Sequence, residues 1–164
     1  MSLKKITFRR ILPFVLLVLV LAACGSKPVA LTDLPAYAGA VALQPGEDPV
    51  ADTLAQNMEQ NAQITSSLGV DSKIEQMAYR LPADTSWDDV LAFYKKELEG
   101  SGWKSGLGGP GGDIAGDILN QANAGNDLFQ MSMFSKGKQS LTIIRTADPL
   151  NPSQPYLIFS LATN

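Results

Sequence analysis

The chain has 164 residues, of which 45% are apolar, and a formal net charge of −3 from 13 basic and 16 acidic side chains. This length is enough for one modest domain with its own hydrophobic core. The chain has no histidine and one cysteine, which excludes Cys–His and Ser–His–Asp catalysis, the usual zinc ligand sets and an intramolecular disulfide. Its acidic net charge excludes a nucleic-acid-binding domain of the usual kind, because such a domain needs a basic surface.

A basic N-terminus followed by a short apolar run opens the chain. The basic residues are Lys4, Lys5, Arg9 and Arg10, and the apolar run covers 13 residues, 11–23. A membrane-spanning helix needs about 20 apolar residues, so this run is too short to cross a bilayer. A positive flank, a short apolar core and small residues at its end are typical of a secretory signal peptide.

The apolar run ends in Leu21-Ala22-Ala23-Cys24, and Cys24 is the single cysteine. This tetrapeptide resembles the lipobox of bacterial lipoproteins. The resemblance implies a signal peptide over residues 1–23 that is removed, a diacylglyceryl thioether on Cys24 and anchoring at the extracytoplasmic side of a cell membrane or outer membrane. Two or more acyl chains suffice for stable anchoring. An uncleaved membrane anchor and an ordinary secretory signal are the alternatives.

Removal of the leader would change the charge of the protein. The mature part keeps 9 basic and 16 acidic residues, a net charge of −7. Anionic headgroups repel a body of this charge, so we expect lipid rather than a basic patch to hold it at the membrane. Residues 24–36 are predicted to contain the lipidated cysteine and a flexible tether, because Gly25, Pro28 and Pro35 punctuate them.

Residues 37–164 are predicted to form a single domain. A short edge strand is expected within 37–43, where Pro45-Gly46 supplies a turn. A weakly amphipathic helix is predicted over 50–68 and a half-buried strand over 73–81. The clearest element is a second helix that Thr85 caps and that ends near Gly100. Its apolar stripe consists of Trp87, Val90, Leu91, Tyr94 and Leu98.

The remaining pattern predicts mostly strands. One is expected at 102–107, a hairpin at 129–133 and 141–146, and a last strand at 156–161. This order predicts an α+β fold, an antiparallel sheet of about four to five strands with two helices packed on one face. The predicted core residues are Trp87, Tyr94, Leu98, Tyr79, Phe129 and Ile143. The segment from Asp84 to Trp103 is similar to a helix-to-strand pattern of small extracytoplasmic lipoproteins, which implies fold and compartment but no activity.

A glycine-rich insert, residues 105–127, interrupts the predicted sheet. Residues 106–111 match G-x-G-x-x-G, but Pro110 removes an amide there and no repeated βαβ unit surrounds them, so a flexible loop is favoured over nucleotide binding. Asp113, Asp117 and Asp127 do not have the spacing of an EF-hand calcium loop. We therefore expect no cofactor and no metal site.

Two further groups of residues have alternative interpretations. Asp84, Asp88 and Asp89 have the chemistry of a carboxylate pair for hydrolysis, but they lie where helix caps belong. A sugar- or peptide-binding groove is a further interpretation of four aromatic residues, but at helical spacing they fit a core stripe better: Trp87, Trp103, Tyr94 and Phe93. The sequence thus favours a non-catalytic lipoprotein that binds a partner protein in the cell envelope through the insert and the last hairpin. A small module for metal, sugar or lipid is the alternative, and a carboxylate-based hydrolase comes third.

Overall fold

The computed structural model describes residues 27–67, 73–106, 119, 121–147, 151 and 153–163. The predicted leader, Cys24 and most of the glycine-rich insert lie outside these residues. Within the described part of the chain, no helix is long and apolar enough to cross a bilayer.

Six strands form one antiparallel sheet. They are β1 (Val41–Ala42), β2 (Lys73–Arg80), β3 (Lys104–Ser105), β4 (Phe129–Lys136), β5 (Gln139–Ala147) and β6 (Pro155–Thr163). Their order in the sheet is β1-β2-β6-β5-β4-β3. The helical elements include a 3₁₀ turn (Leu31–Asp33), α1 (Pro49–Ser67) and α2 (Trp87–Gly100), and residues 121–123 are also helical. The predicted α+β class is confirmed. The predicted number of about four to five strands is too small, because the short segments expected within 37–43 and 102–107 both pair into the sheet, as the two-residue edge strands β1 and β3.

The N-cap residue of helix α2 is Ser86, one residue after the predicted cap, Thr85. The Ser86 hydroxyl accepts a hydrogen bond from the Asp89 N–H at 3.1 Å, which is the N-cap interaction. The Thr85 hydroxyl instead donates to the Pro82 carbonyl at 2.7 Å. The helix ends before Gly102, whose φ of 85° favours glycine.

Helix α2 covers one face of the sheet, which we call the α2 face. Its buried side chains are Trp87, Val90, Tyr94 and Leu98. The strand register places the opposing side chains on this face, each at most 2% exposed: Phe134, Leu141, Ile143, Leu157, Phe159 and Leu161. Tyr94 and Phe159 pack edge to face with ring centroids 5.3 Å apart. This layer is the hydrophobic core.

Helix α1 lies against the opposite face, the α1 face. Alternate residues of β2 point to opposite faces, and Tyr79 stacks on Phe159 of the α2 face. Ala78 therefore points to the other side, where it lines a cleft with Ala51 and Leu54 of α1. The prediction that both helices pack on one face is thus wrong. The physical reason is that β2 carries apolar residues on both sides, so its alternation did not identify a single buried face.

Strand β4 buries the side opposite to the predicted one. Phe129 is 44% exposed, so its prediction as a core residue is wrong. Phe129, Met131 and Met133 do share a face, but pairing with Thr146, Ile144 and Thr142 places it on the α1 side. The buried residues of β4 are Gln130 and Phe134.

The described part of the predicted tether packs on the domain. Gln139, which is 6% exposed, accepts from the Val29 N–H and donates to the Val29 carbonyl, each at 2.8 Å. Leu31 is 5% exposed and belongs to the core cluster. Val29 and Leu31 therefore pack against the domain, although they lie within the predicted tether. No periodic pattern marks this segment in the sequence, because individual side chains attach it to the domain.

Candidate functional site at the distal end of the sheet

The strand termini define two ends of the sheet. The proximal end contains Lys73, Lys136, Gln139 and Thr163 and contacts the N-terminal segment. The distal end contains Arg80, Phe129, Thr146 and Tyr156. With eight-residue strands at about 3.3 Å per residue, the two ends lie about 25 Å apart.

A polar cavity opens at the distal end, beside the start of α2. Its volume is about 220 Å³ and its lining residues are Ser86, Trp87, Asp88, Asp127, Gln130 and Arg145. Two carboxylates and one guanidinium thus share a small space. Asp88 and Asp127 belong to different hypothetical sites in the sequence, and the fold brings them together.

Arg145 organises the walls of this cavity. Its Nε donates to the Thr85 carbonyl at 3.2 Å. Its Nη1 donates to the Asp127 carbonyl and to Gln130 Oε1, each at 3.1 Å. One side chain therefore connects the loop before α2 with the start of β4. The hydrogen bond from Arg145 also allows Gln130 to be buried, because a buried side-chain amide needs hydrogen-bond partners.

Two exposed apolar residues lie at the start of β4, between Asp127 and Gln130 of the cavity in the sequence. Leu128 is 67% and Phe129 44% exposed. Asn126 Oδ1 accepts from both of their N–H groups at 3.1 Å, and the Leu128 carbonyl accepts from the Ala147 N–H at 3.0 Å. The backbone under this apolar pair is thus fixed by hydrogen bonds. We call Leu128 and Phe129 the apolar step.

Asn123 occupies the outer edge of β4 next to the apolar step. Its Nδ2 donates to the Met131 carbonyl at 2.7 Å, and its Oδ1 accepts from the Met131 N–H at 2.9 Å. A side-chain amide here takes the place of a neighbouring strand. It satisfies edge groups that would otherwise invite pairing with another chain.

On β2, the distal end is held by a charged pair. Asp48 is 4% exposed, and its Oδ1 accepts from the Val50 N–H at 2.9 Å, which caps α1. Its Oδ2 pairs with Arg80. Desolvation would lower the pKa of Arg80, but hydrogen bonds to Tyr156 and Asp48 outweigh it and the pKa is raised. This arginine therefore remains a structural cation.

The other predicted site residues are dispersed or lie outside the described residues. Cys24, Asp113 and Asp117 belong to the latter group. Asp89 accepts from the Ser86 hydroxyl at 2.6 Å, and Asp84 occupies a turn with a φ of 61°. No group of three or more acidic or cysteine side chains among the described residues is arranged to hold a metal ion.

The aromatic groove considered from the sequence does not form from its two tryptophans. Trp87 and Trp103 lie at opposite ends of α2, and they are 7% and 3% exposed. The sequence pattern did not identify Arg145, Gln130 and Leu128 as residues of the candidate site. The one available signal was Arg145, a charged residue near the end of an apolar strand. Comparison with protein-family models, curated proteins and solved structures finds no match.

Proposed function

We propose that this protein is a lipid-anchored extracytoplasmic lipoprotein that binds a partner protein, without catalysis, as an accessory subunit of an envelope assembly. Cys24 is the proposed lipidation site, and the distal end of the sheet is the proposed binding surface. The observation that carries the proposal is the apolar step, with Leu128 67% and Phe129 44% exposed. These are two of the three large apolar side chains found strongly exposed among the described residues.

The surroundings of the apolar step support protein binding. Protein interfaces combine an apolar centre, often aromatic, with a polar rim. Here Phe129 and Leu128 supply the centre, and the adjacent, exposed Asp127 supplies part of the rim. Because the Asn126 hydrogen bonds fix the backbone, binding would cost little ordering of the chain. The rim favours a partner with basic residues around an apolar contact.

The position of the apolar step fits a domain that binds its partner while a lipid holds it at the membrane. The apolar step lies at the end of the sheet opposite to the N-terminal segment, about 25 Å away at the usual strand rise. A lipid on Cys24 would hold the domain at the bilayer and raise its effective concentration toward partners in the same membrane. The distal end would remain accessible to them.

The distal cavity also supports a second candidate function, binding of a small polar ligand such as a sugar. Asp88, Asp127, Gln130 and Arg145 provide both donors and acceptors beside Trp87. However, its volume of about 220 Å³ lies below the range of about 300–1,000 Å³ that is typical of ligand pockets. A side chain of a protein partner fits this space better, so protein binding ranks first.

The test compares apolar-step variants with a matched control. Full-length tagged protein is recovered from detergent-solubilised membranes as wild type, as Leu128→Ser/Phe129→Ser, and as Val41→Ser. Val41 is 61% exposed at the same end but on β1, four strand spacings or about 19 Å from β4. We expect the double variant to lose a specific partner at least tenfold, the effect of removing an interface hot spot, and Val41→Ser to retain it.

The anchor requires its own test. Cys24→Ser should leave the leader uncleaved or release the protein from the membrane, because acylation needs the thiol. Mass spectrometry of the wild-type protein should find an acylated N-terminal Cys24. Normal processing and membrane retention of Cys24→Ser would refute the anchor, and recovery of the same partner by Leu128→Ser/Phe129→Ser would refute the binding surface.

A further inference from the structure

The charges of the described residues are divided unequally between the two ends of the sheet. The proximal end carries five lysines: Lys27, Lys73, Lys104, Lys136 and Lys138. The same end carries four carboxylates: Asp33, Glu75, Glu97 and Glu99. The distal end carries seven carboxylates, Glu47, Asp48, Asp52, Asp84, Asp88, Asp89 and Asp127, and two arginines, Arg80 and Arg145. The acidic excess is therefore confined largely to the distal end.

Three of the proximal carboxylates are already engaged within the domain. Glu75 pairs with Lys73 and accepts from the Leu31 N–H at 3.4 Å. Asp33 accepts from the Ala30 N–H at 3.1 Å, and Glu99 accepts from the Ser105 hydroxyl at 2.8 Å. These contacts hold the three carboxylates against the domain, but each keeps its charge, so the five lysines and four carboxylates named at the proximal end sum to +1.

The proximal lysines are differently placed. Lys27, Lys104 and Lys138 are exposed, and Lys138 sits in the two-residue turn that links β4 to β5. Lys136 donates to the Ser101 carbonyl at 2.8 Å, where it offsets the negative end of the α2 dipole. These amines form a cationic surface at the strand ends.

The N-terminal segment places this surface near the proposed anchor. Lys27 follows Cys24 by three residues, and three extended residues span at most about 11 Å. A lipid on Cys24 would therefore hold Lys27 close to the bilayer surface, within about one Debye length of the headgroups. The same geometry brings the other proximal lysines to the membrane side.

We propose that the proximal lysines rest on anionic lipid headgroups and so orient the anchored domain with the apolar step pointing away from the bilayer. This inference rests on the proposed lipidation of Cys24. The net charge of −7 predicted repulsion by such headgroups, but the charges of the described residues are segregated. The surface potential therefore attracts one end and repels the other, which produces orientation instead of expulsion.

The experiment measures the reactivity of each lysine in the full lipidated protein. The protein is added to phosphatidylcholine vesicles with or without phosphatidylglycerol, treated with a water-soluble acetylating reagent and analysed by peptide mass spectrometry. Lys27, Lys104 and Lys138 should react about fivefold more slowly on the anionic vesicles, given the attraction of each lysine to such a surface. Lys95 and Lys96, which are exposed on α2, should react equally on both.

Two variants with the same charge change provide the control. Lys104→Gln/Lys138→Gln should reduce the protection of Lys27, whereas Lys95→Gln/Lys96→Gln should leave it unchanged. Added salt should reduce the protection, because it screens the headgroup charge. Equal protection on neutral vesicles, or equal protection of Lys95 and Lys96, would overturn the orientation.

Mass measurement separates this inference from the proposed function. An unacylated Cys24 would refute the anchor itself. An acylated, vesicle-bound protein whose lysines all react alike would leave the anchor in place and refute the orientation. Either result is obtained from the same samples.

Discussion

The two faces of the sheet are built in different ways. The α2 face is closed by a continuous apolar layer in which Phe134, Leu141 and Leu157 are each 0% exposed. On the α1 face the corresponding residues of β4, β5 and β6, such as Met133, Ile144 and Ile158, are only half-buried, and the closest packing is between α1 and β2. Stability therefore depends chiefly on the α2 face, which leaves the ends of the sheet free for recognition.

The largest expected effect on stability is the difference between two phenylalanines that lie on opposite sides of β4. Phe134→Ala should lower the free energy of unfolding by about 3–5 kcal/mol, because it opens a cavity in the core. Phe129→Ala should lower it by less than about 1 kcal/mol, because an exposed side chain loses little burial. Urea unfolding of both variants measures the difference. Equal losses would mean that the two faces contribute alike.

The next effect concerns how α1 is attached. Asp48→Ala removes the cap of α1 and the carboxylate that pairs with Arg80, so we expect a loss of about 1–3 kcal/mol. Glu59→Ala, at an exposed position of the same helix, is the control and should change stability by less than about 0.5 kcal/mol. Thermal unfolding followed by circular dichroism compares them. A neutral Asp48→Ala would show that apolar contacts alone hold α1.

A smaller effect is expected where the N-terminal segment joins the α2 face. Gln139→Ala removes both hydrogen bonds to Val29, and we expect a loss of about 1–2 kcal/mol. Amide hydrogen exchange over residues 29–34 should accelerate more than exchange in β6. Gln56→Ala, exposed on α1, should affect neither quantity. Unchanged exchange at Leu31 in Gln139→Ala would show that the core contact of Leu31 is sufficient.

The smallest effect is a pH dependence at the same junction. The hydrogen bond from Lys73 lowers the pKa of Glu75 below its ordinary value of 4.5, although partial desolvation opposes this. A lowered folded-state pKa means that Glu75 stabilises the fold above pH 4.5 and that this contribution is lost as the pH falls through the folded-state pKa. Because the group is partly exposed, the loss should stay below about 0.5 kcal/mol.

Glu75→Gln isolates this contribution. The variant cannot ionise at position 75, so the part of the acid-dependent loss that belongs to Glu75 should disappear from its stability curve. Unfolding measured above and below pH 4.5 provides the comparison. A wild-type curve that coincides with that of Glu75→Gln would remove Glu75 from the junction.

Elements with strong local periodicity were predictable from the sequence. The stripe of α2, the β4–β5 hairpin and the alternation of Leu157, Phe159 and Leu161 each report a local pattern, and the structure confirms all three. The cap was displaced from Thr85 to Ser86 because two adjacent hydroxyl residues offered the same chemistry. Local sequence thus located these elements, although β4 ends three residues later than predicted, at Lys136.

The candidate site required contacts between distant parts of the chain. Arg145 connects Thr85, Asp127 and Gln130, which are separated from it by 60, 18 and 15 residues. No spacing rule relates such positions before the strands are paired. The proposed lipidation of Cys24, by contrast, depends on a contiguous sequence motif and not on contacts between distant residues. It remains a prediction from the sequence.

The sequence by itself determined the helices, the main strands and the proposed lipidation motif, because each depends on neighbours a few residues away. Only the tertiary structure decided which face of β4 is buried, which face of the sheet receives α1, and that Val29 and Leu31 dock on the domain. Each of these depends on strand register and on partners far along the chain. A strand with apolar residues on both sides is locally compatible with either face, and its cross-strand neighbours make the choice.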